Sequence, residues 1–163
     1  MTGWRDRLTV RLAEEADVRP LRLLVNAAYR ELAEMGMNYT GSYQDEEITR
    51  ERMQGRDVYL VFLDGQMVGT ISTEVEEEDG QSHLYISQFA VLPELKLRGI
   101  GRFIMDLVEQ KARENGISRL RLDTATTAHH LVRFYSGLGY RVIAEEQWQG
   151  KTYRSYIMEK ELS

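Results

Sequence analysis

The sequence predicts an α+β domain, a mostly antiparallel sheet with helices packed on its faces. Three observations lead to that fold class. Extended apolar or alternating segments are joined by Asp-Gly pairs, Asp64-Gly65 and Asp79-Gly80, which favour hairpin turns. Two longer segments, beginning at Asp17 and Ile100, repeat apolar residues at spacings of three and four, as amphipathic helices do. A cationic turn with two glycines joins the fourth extended segment to the second of these helices.

Taken in order, Leu8–Leu12 alternates like a short first strand. Val18, Leu21, Val25, Ala28, Leu32 and Met35 then mark one face of a helix that Gly36 ends. Residues 37–44 are polar and aromatic and read as a loop. Asp45 to Met53 reads as a short charged helix stopped at Gly55. Val58–Leu63 and Gln66–Thr73 form a hairpin, and Glu74–Gly80 leads into a second turn. Its acidic run, Glu76 to Asp79, reads as a solvated tip, with attraction of a cationic acceptor as the other reading. His83–Val91 is the fourth strand. The next helix carries Ile100, Phe103, Ile104, Leu107 and Val108 on one face and closes at Asn115-Gly116. Arg119–Thr124 is a fifth strand and His129–Leu138 a helix ended by Gly139. Val142–Trp148 and Tyr153–Lys160 close the chain as a hairpin around Gln149-Gly150.

Composition narrows the function classes. A chain of 163 residues without a Pro/Ser-rich linker fits one domain, 1–163. It has no cysteine, which excludes disulfides and thiolate zinc sites and fits a cytoplasmic location. No run approaches the ~20 apolar residues of a membrane span. A net charge of −5 argues against general nucleic-acid binding but not against a local basic pocket.

That pocket is expected at Lys96-Leu97-Arg98-Gly99-Ile100-Gly101-Arg102, between a Pro-marked break and a helix. The first N–H groups of a helix have no internal partner, and the helix dipole places partial positive charge beside them. Gly99 and Gly101 lack a Cβ and let an anion approach the main chain, while Lys96, Arg98 and Arg102 supply charge. A pyrophosphate-bearing ligand suits this turn; a tight turn with no ligand is the plainer reading. Ile104 stands where a dinucleotide fingerprint needs its third glycine, and a Gly-Lys-Ser/Thr P-loop ending is absent.

The element order, with the Gly-rich turn after the fourth strand, resembles the GCN5-related N-acetyltransferase (GNAT) superfamily. The family pattern at that turn is Arg/Gln-x-x-Gly-x-Gly/Ala, and here it reads Lys96-Leu97-Arg98-Gly99-Ile100-Gly101. Phe89-Ala90-Val91-Leu92-Pro93-Glu94 is similar to the strand end that precedes it. Phe134-Tyr135-Ser136-Gly137-Leu138-Gly139-Tyr140 is similar to the family's Phe-Tyr-x-x-x-Gly-Phe segment. Lys96 departs from the usual Arg or Gln and lacks their planar donor groups. Thr127-Ala128-His129-His130 stands where the family often has a cofactor-binding Asn, which puts that contact in doubt.

The resemblance implies a six- to seven-stranded sheet with helices on both faces and strands four and five splayed. It implies acetyl-CoA as cosubstrate, no metal, and direct attack of an amine on the thioester. Main-chain groups of Phe89, Ala90 and Val91 would hold the pantetheine arm and polarise the thioester oxygen, although these residues also read as strand core. Lys96, Leu97, Arg98, Gly99, Ile100, Gly101 and Arg102 would hold the phosphates. Tyr135 is the candidate general acid, protonated at neutral pH and able to donate to the departing sulfur.

Some family members carry a Glu base near the position of Tyr85. Here deprotonation is expected through water toward His83, Glu74 or Asp123, with His83 read as a solvated residue beside a turn. His129 and His130 are adjacent on a helix, point apart and do not chelate well. Acceptor specificity is expected from the loop Gly36–Tyr43 and from Trp148, Tyr153 and Tyr156. These aromatics suit an amine acceptor, small molecule or peptide, or a homodimer interface. The rival reading is a catalytically weak acetyl-CoA-binding module serving regulation or interaction.

Overall fold

The computed structural model describes residues 3–96 and 98–163; Leu97, one of the turn residues named above, lies outside them. Seven strands are present: β1 (Leu8–Leu12), β2 (Asp57–Leu63), β3 (Gln66–Glu78), β4 (Gln81–Val91), β5 (Arg119–Ala125), β6 (Arg141–Glu146) and β7 (Ser155–Glu161). The helices are α1 (Val18–Glu34), α2 (Thr40–Tyr43), α3 (Glu46–Met53), α4 (Ile100–Glu114) and α5 (His129–Gly137).

β2 is apolar on both faces, and that requires cover on both. Val58 and Leu60 join Leu21, Val25 and Ala28 of α1 in one buried cluster. Val61 points the other way and joins the larger cluster that holds Ile104, Met105 and Val108 of α4. Tyr135 of α5 and Leu120 and Leu122 of β5 belong to that larger cluster too. The sheet therefore has helices on both faces.

The strand order is β1-β2-β3-β4-β5-β7-β6, and every neighbouring pair is antiparallel except β4–β5. That parallel pair is matched only at Leu84 with Leu120 and Tyr85 with Arg121. Beyond Tyr85 the two strands run on without pairing, to Val91 and Ala125, so the sheet is splayed there. A bulge accompanies the splay. The β3–β4 register shifts between Thr70 and Ser72, and Gln88 takes a φ of 51° in the left-handed region. An extra residue bends the strand that carries it. The buried Gln88 side chain donates to Ser72 Oγ at 3.3 Å, which fixes the bend from inside.

The β3–β4 hairpin continues to Glu78 and Gln81, so the acidic run forms the last strand residues and the turn of an exposed tip, as expected. Three expectations change in this frame. Glu76 lies opposite His83, with Oε1 and Nε2 3.0 Å apart, and Glu78 pairs with Arg121. His83 is consequently 2% exposed, not solvated. The loop 37–44 contains the helical turn α2. Trp148 falls outside β6, which ends at Glu146 and is exposed along its whole length at the sheet edge.

Asp17 ties β1 to α1. Its carboxylate accepts two bonds of 2.8 Å from Arg11 and one of 2.8 Å from the Glu14 N–H. The Arg11 bonds hold its pKa below the ordinary carboxylate value. Asp17→Ala is expected to cost about 1–2 kcal/mol in urea unfolding at neutral pH. Because the folded pKa is the lower one, this stabilisation is complete above the unfolded pKa of ~3.9 and is lost as pH falls through the folded value. A wild-type-to-variant difference that persisted in full below that pH would contradict the ion pair.

Candidate active site

The splay between β4 and β5 opens a cleft of about 430 Å³. Residues 86–91 of β4 form one wall, Leu122, Asp123 and Thr124 of β5 the other. The start of α4, the inner face of α5, and residues of α1, α2 and the closing hairpin complete it.

At one end lies the glycine turn. Gly99 is the N-cap of α4 with φ 87°, a conformation that side-chain-bearing residues rarely adopt. The first intrahelical bond is from Phe103 N to Gly99 O at 3.1 Å, so the N–H groups of Ile100, Gly101 and Arg102 precede the ladder. Among the described residues, no side chain caps them. Lys96, Gly99, Gly101 and Arg102 line the cleft. Arg98 is exposed outside the lining, and the Ile100 side chain is buried in the core, leaving only its main chain for a ligand.

Gly101 has a second reason to lack a side chain. A Cβ there would stand 3.2 Å from Phe89 Cζ and 3.5 Å from Phe134 Cζ. Those two rings stack with centroids 6.0 Å apart and planes 9° apart. A Cβ at Gly99 would meet Trp4 at 3.2 Å, because residues 4–7 fold back onto the turn. Nothing in the local sequence of residues 4–7 signals that contact.

Phe89, Ala90 and Val91 all line the cleft on the side where β4 has lost β5 as a partner. The Phe89 carbonyl already accepts a 2.7 Å bond from the Tyr29 hydroxyl, which occupies one of its lone pairs. Tyr29 is held in turn by Gly41, where a Cβ would fall 2.5 Å from its ring.

Tyr135 is 7% exposed, packed edge-on against Phe134 and Tyr140 at centroid distances of 5.4 and 6.1 Å. It lines the cleft, and its hydroxyl makes no hydrogen bond among the described residues. Burial raises its pKa well above 10, so the phenol keeps its proton across the neutral range.

Of the three proton acceptors expected from sequence, the structure brings one to the cleft. His83 lies on the β3–β4 hairpin against Glu76, and Glu74 pairs with Arg56 at 3.0 Å. Asp123 lines the cleft. Its Oδ2 accepts a 2.6 Å bond from Trp148 Nε1, and burial raises its carboxyl pKa. The Tyr85 hydroxyl lies close enough to interact with it.

The far end of the cleft is aromatic. Tyr39 and Tyr153 stack at 4.8 Å, and Trp148 and Thr40 add to the wall. Tyr156 packs against the main core and is not part of it. Arg52 was legible only as one charge on a charged helix, yet its guanidinium faces inward and lines the cleft. Burial lowers its pKa, and Nη1 donates to Gln44 Oε1 at 2.7 Å. No metal-holding group of three or more His, Cys, Asp or Glu is found among the described residues. No described helix is long and apolar enough to cross a membrane.

The family model described as the acetyltransferase (GNAT) family matches residues 22–140, well over half of the chain. The chain belongs to the GNAT acetyltransferase family. A curated relative, the S-alkylcysteine N-acetyltransferase of Bacillus subtilis, is 25% identical over 146 residues, covering 86% of this chain and 82% of the relative. Two solved structures share the GNAT fold. A GNAT family acetyltransferase from Elizabethkingia anophelis with acetyl-CoA bound superposes with a TM-score of 0.72 at 16% identity, covering 96% of this chain and 99% of that one. The PaiA N-acetyltransferase of Thermoplasma acidophilum in complex with coenzyme A gives 0.68 at 19% identity, covering 94% and 98%. The seven-stranded mixed sheet with its one parallel pair is thus the fold of this family.

Proposed function

We propose that residues 1–163 act as one domain that transfers acetyl from acetyl-CoA directly to a primary amine of a small molecule or peptide. The observation that carries this reading is the continuity of the cleft, from the start of α4, past Tyr135, to the half-buried Asp123 carboxylate. The pyrophosphate of CoA suits the N–H groups of Ile100, Gly101 and Arg102, with Lys96 and Arg102 beside them. The pantetheine arm suits the unpaired edge of β4 at Phe89, Ala90 and Val91. An amide in that segment would polarise the thioester oxygen as charge develops there.

In the reaction the amine nitrogen forms a bond to the acetyl carbon and the carbon–sulfur bond breaks. The nitrogen loses a proton to a base in the cleft. Tyr135 donates its hydrogen bond, then its proton, to the departing sulfur. The chain has no cysteine to carry an acyl group, which fits direct transfer. The likeness to the Bacillus subtilis enzyme, named for a small amino-acid derivative, supports a small acceptor.

An acetyl-transfer screen over polyamines, amino acids, aminoglycosides and peptides at fixed acetyl-CoA tests this reading. Released CoA can be followed with a thiol reagent, since the protein itself contributes no thiol. Amine-dependent release is expected; CoA binding without release on any amine would leave the binding-module reading instead. CoA affinity is further expected to fall as ionic strength rises, more steeply than for dephospho-CoA. Flat salt profiles for both ligands would remove Lys96 and Arg102 from the phosphate site.

A further inference from the structure

Six ionisable side chains with basic or acidic groups line the cleft: Arg52, Lys96, Arg102, Asp123, His130 and Lys151. Lys96, Arg102 and His130 belong to the turn, α4 and α5 at the phosphate end. Lys151 is occupied, donating to Asn38 O at 3.1 Å and Thr40 Oγ1 at 2.8 Å. That leaves Arg52 and Asp123. Asp123 is the only carboxylate among the described lining residues, and Arg52 is a cation from a different element altogether.

Neither has an ionic partner among the described residues. No described acidic group lies within 4.0 Å of Arg52 and no described cation lies within that distance of Asp123, although each feels the other's charge across the cleft. Each is instead aimed by a neutral side chain. Trp148 Nε1 holds Asp123 at 2.6 Å, and Gln44 Oε1 holds Arg52 at 2.7 Å. Gln44 is itself 1% exposed and fixed by the fully buried Thr49 at 2.9 Å. A partly desolvated ion is costly without a counter-charge in contact, and here two such groups of opposite sign face one cleft without touching. One ligand carrying both charges would satisfy both groups.

We infer that the acceptor is a zwitterion, an α-amino acid whose ammonium group sits at Asp123 and whose carboxylate sits at Arg52. Guanidinium is the cation whose paired donors match a carboxylate, and among the described residues Nη1 alone of its donors has a partner. Ala28, Leu32 and the Tyr39–Tyr153 stack form the neighbouring wall and suit an apolar or aromatic side chain. Asp123 then takes a proton from the bound ammonium, directly or through one water. The neutral nitrogen attacks the thioester carbon. As the carbon–sulfur bond breaks the nitrogen loses its second proton, which balances the one Tyr135 gives to sulfur and leaves the phenol protonated again. The first proton leaves Asp123 for solvent. Burial, which makes the Asp123 carboxyl a stronger base than a surface carboxylate, favours this role. The inference rests on the transferase reading above.

Its test uses matched sets on the full chain: leucine, leucinamide and 3-methylbutylamine, and phenylalanine, phenylalaninamide and 2-phenylethylamine. The kcat/KM for each acid is expected to exceed that of its amide and its decarboxylated amine by at least ~10-fold. Arg52→Gln should collapse the acid-to-amide ratio toward one, and Arg52→Lys should restore part of it. CoA affinity, read by calorimetry, serves as the fold control for both variants. Equal or better turnover of the amides or amines would overturn the zwitterion and leave the transferase standing. So would turnover of polyamines or peptides with none of either amino acid. Absence of turnover on every amine would overturn the transferase reading as well. An acid-to-amide ratio unchanged in a CoA-binding Arg52→Gln protein would remove Arg52 from the site.

Discussion

Tyr135→Phe is expected to lower kcat by about 10²–10⁴-fold while CoA affinity stays near its wild-type value. The substitution removes one oxygen and nothing else. That hydroxyl has no hydrogen-bond partner among the described residues, so no donor or acceptor in the protein is orphaned by its loss. The ring keeps its edge-on packing against Phe134 and Tyr140. A loss of stability is therefore not expected, and thermal unfolding of the variant should match wild type. What disappears is the cleft-facing donor that, on the proposed reading, meets the departing sulfur. Burial keeps the phenol protonated, so this residue should introduce no ionisation into the rate profile near neutrality. The decisive measurement is single-turnover kinetics on the true acceptor. Near-wild-type rates with chemistry limiting would mean that water protonates the sulfur and that Tyr135 serves packing alone.

Gly101→Glu is expected to reduce CoA affinity at least ~10-fold, equivalent to ~1.4 kcal/mol. Two effects add. A carboxylate at the second residue of α4 repels a phosphate from the N–H groups it would meet. The Cβ also crowds the Phe89–Phe134 stack, which stands 3.2 and 3.5 Å away. Gly101→Gln separates them, since it has nearly the same shape without the charge. The glutamine variant should fall between wild type and the glutamate variant. Unchanged CoA affinity in a folded Gly101→Glu protein would exclude the helix N-terminus as the phosphate site. Equal losses in both variants would assign the effect to packing of the two rings.

Much of the fold was readable because its signals are local. A period of 3.6 residues from Val18 to Leu32 makes a helix wherever the rest of the chain lies. The positive φ of Gly36, Gly65, Gly99 and Gly139 needs glycine for a reason contained within a few residues. The turn at Gly99–Arg102 and the segment from Phe134 to Tyr140 were legible in the same way, and the structure brings Gly99, Gly101, Arg102, Phe134 and Tyr135 to one cleft. Three readings failed or fell short where the deciding partner is distant in the chain or across a strand. His83 is buried because Glu76 faces it across the hairpin, a register no single strand reveals. Gly101 is small partly because Phe89 and Phe134, from two other elements, meet beneath it. Tyr156 was grouped with Trp148 and Tyr153, yet strand alternation and packing turn it to the core.

The sequence by itself determined the element order, the phosphate-suited turn and the family, because backbone propensity, capping and apolar period act over one or two turns of chain. The tertiary structure alone decided which of three possible proton acceptors stands in the cleft and that Arg52 faces it. Arg52 lies on a short charged helix and Asp123 on a strand 71 positions later in the numbering. Only the splay of β4 from β5, and the packing of α3 beside it through Gln44 and Gln88, sets them before one cavity. Charge acts through space, and the distance between two charges is a property of packing that no local pattern carries.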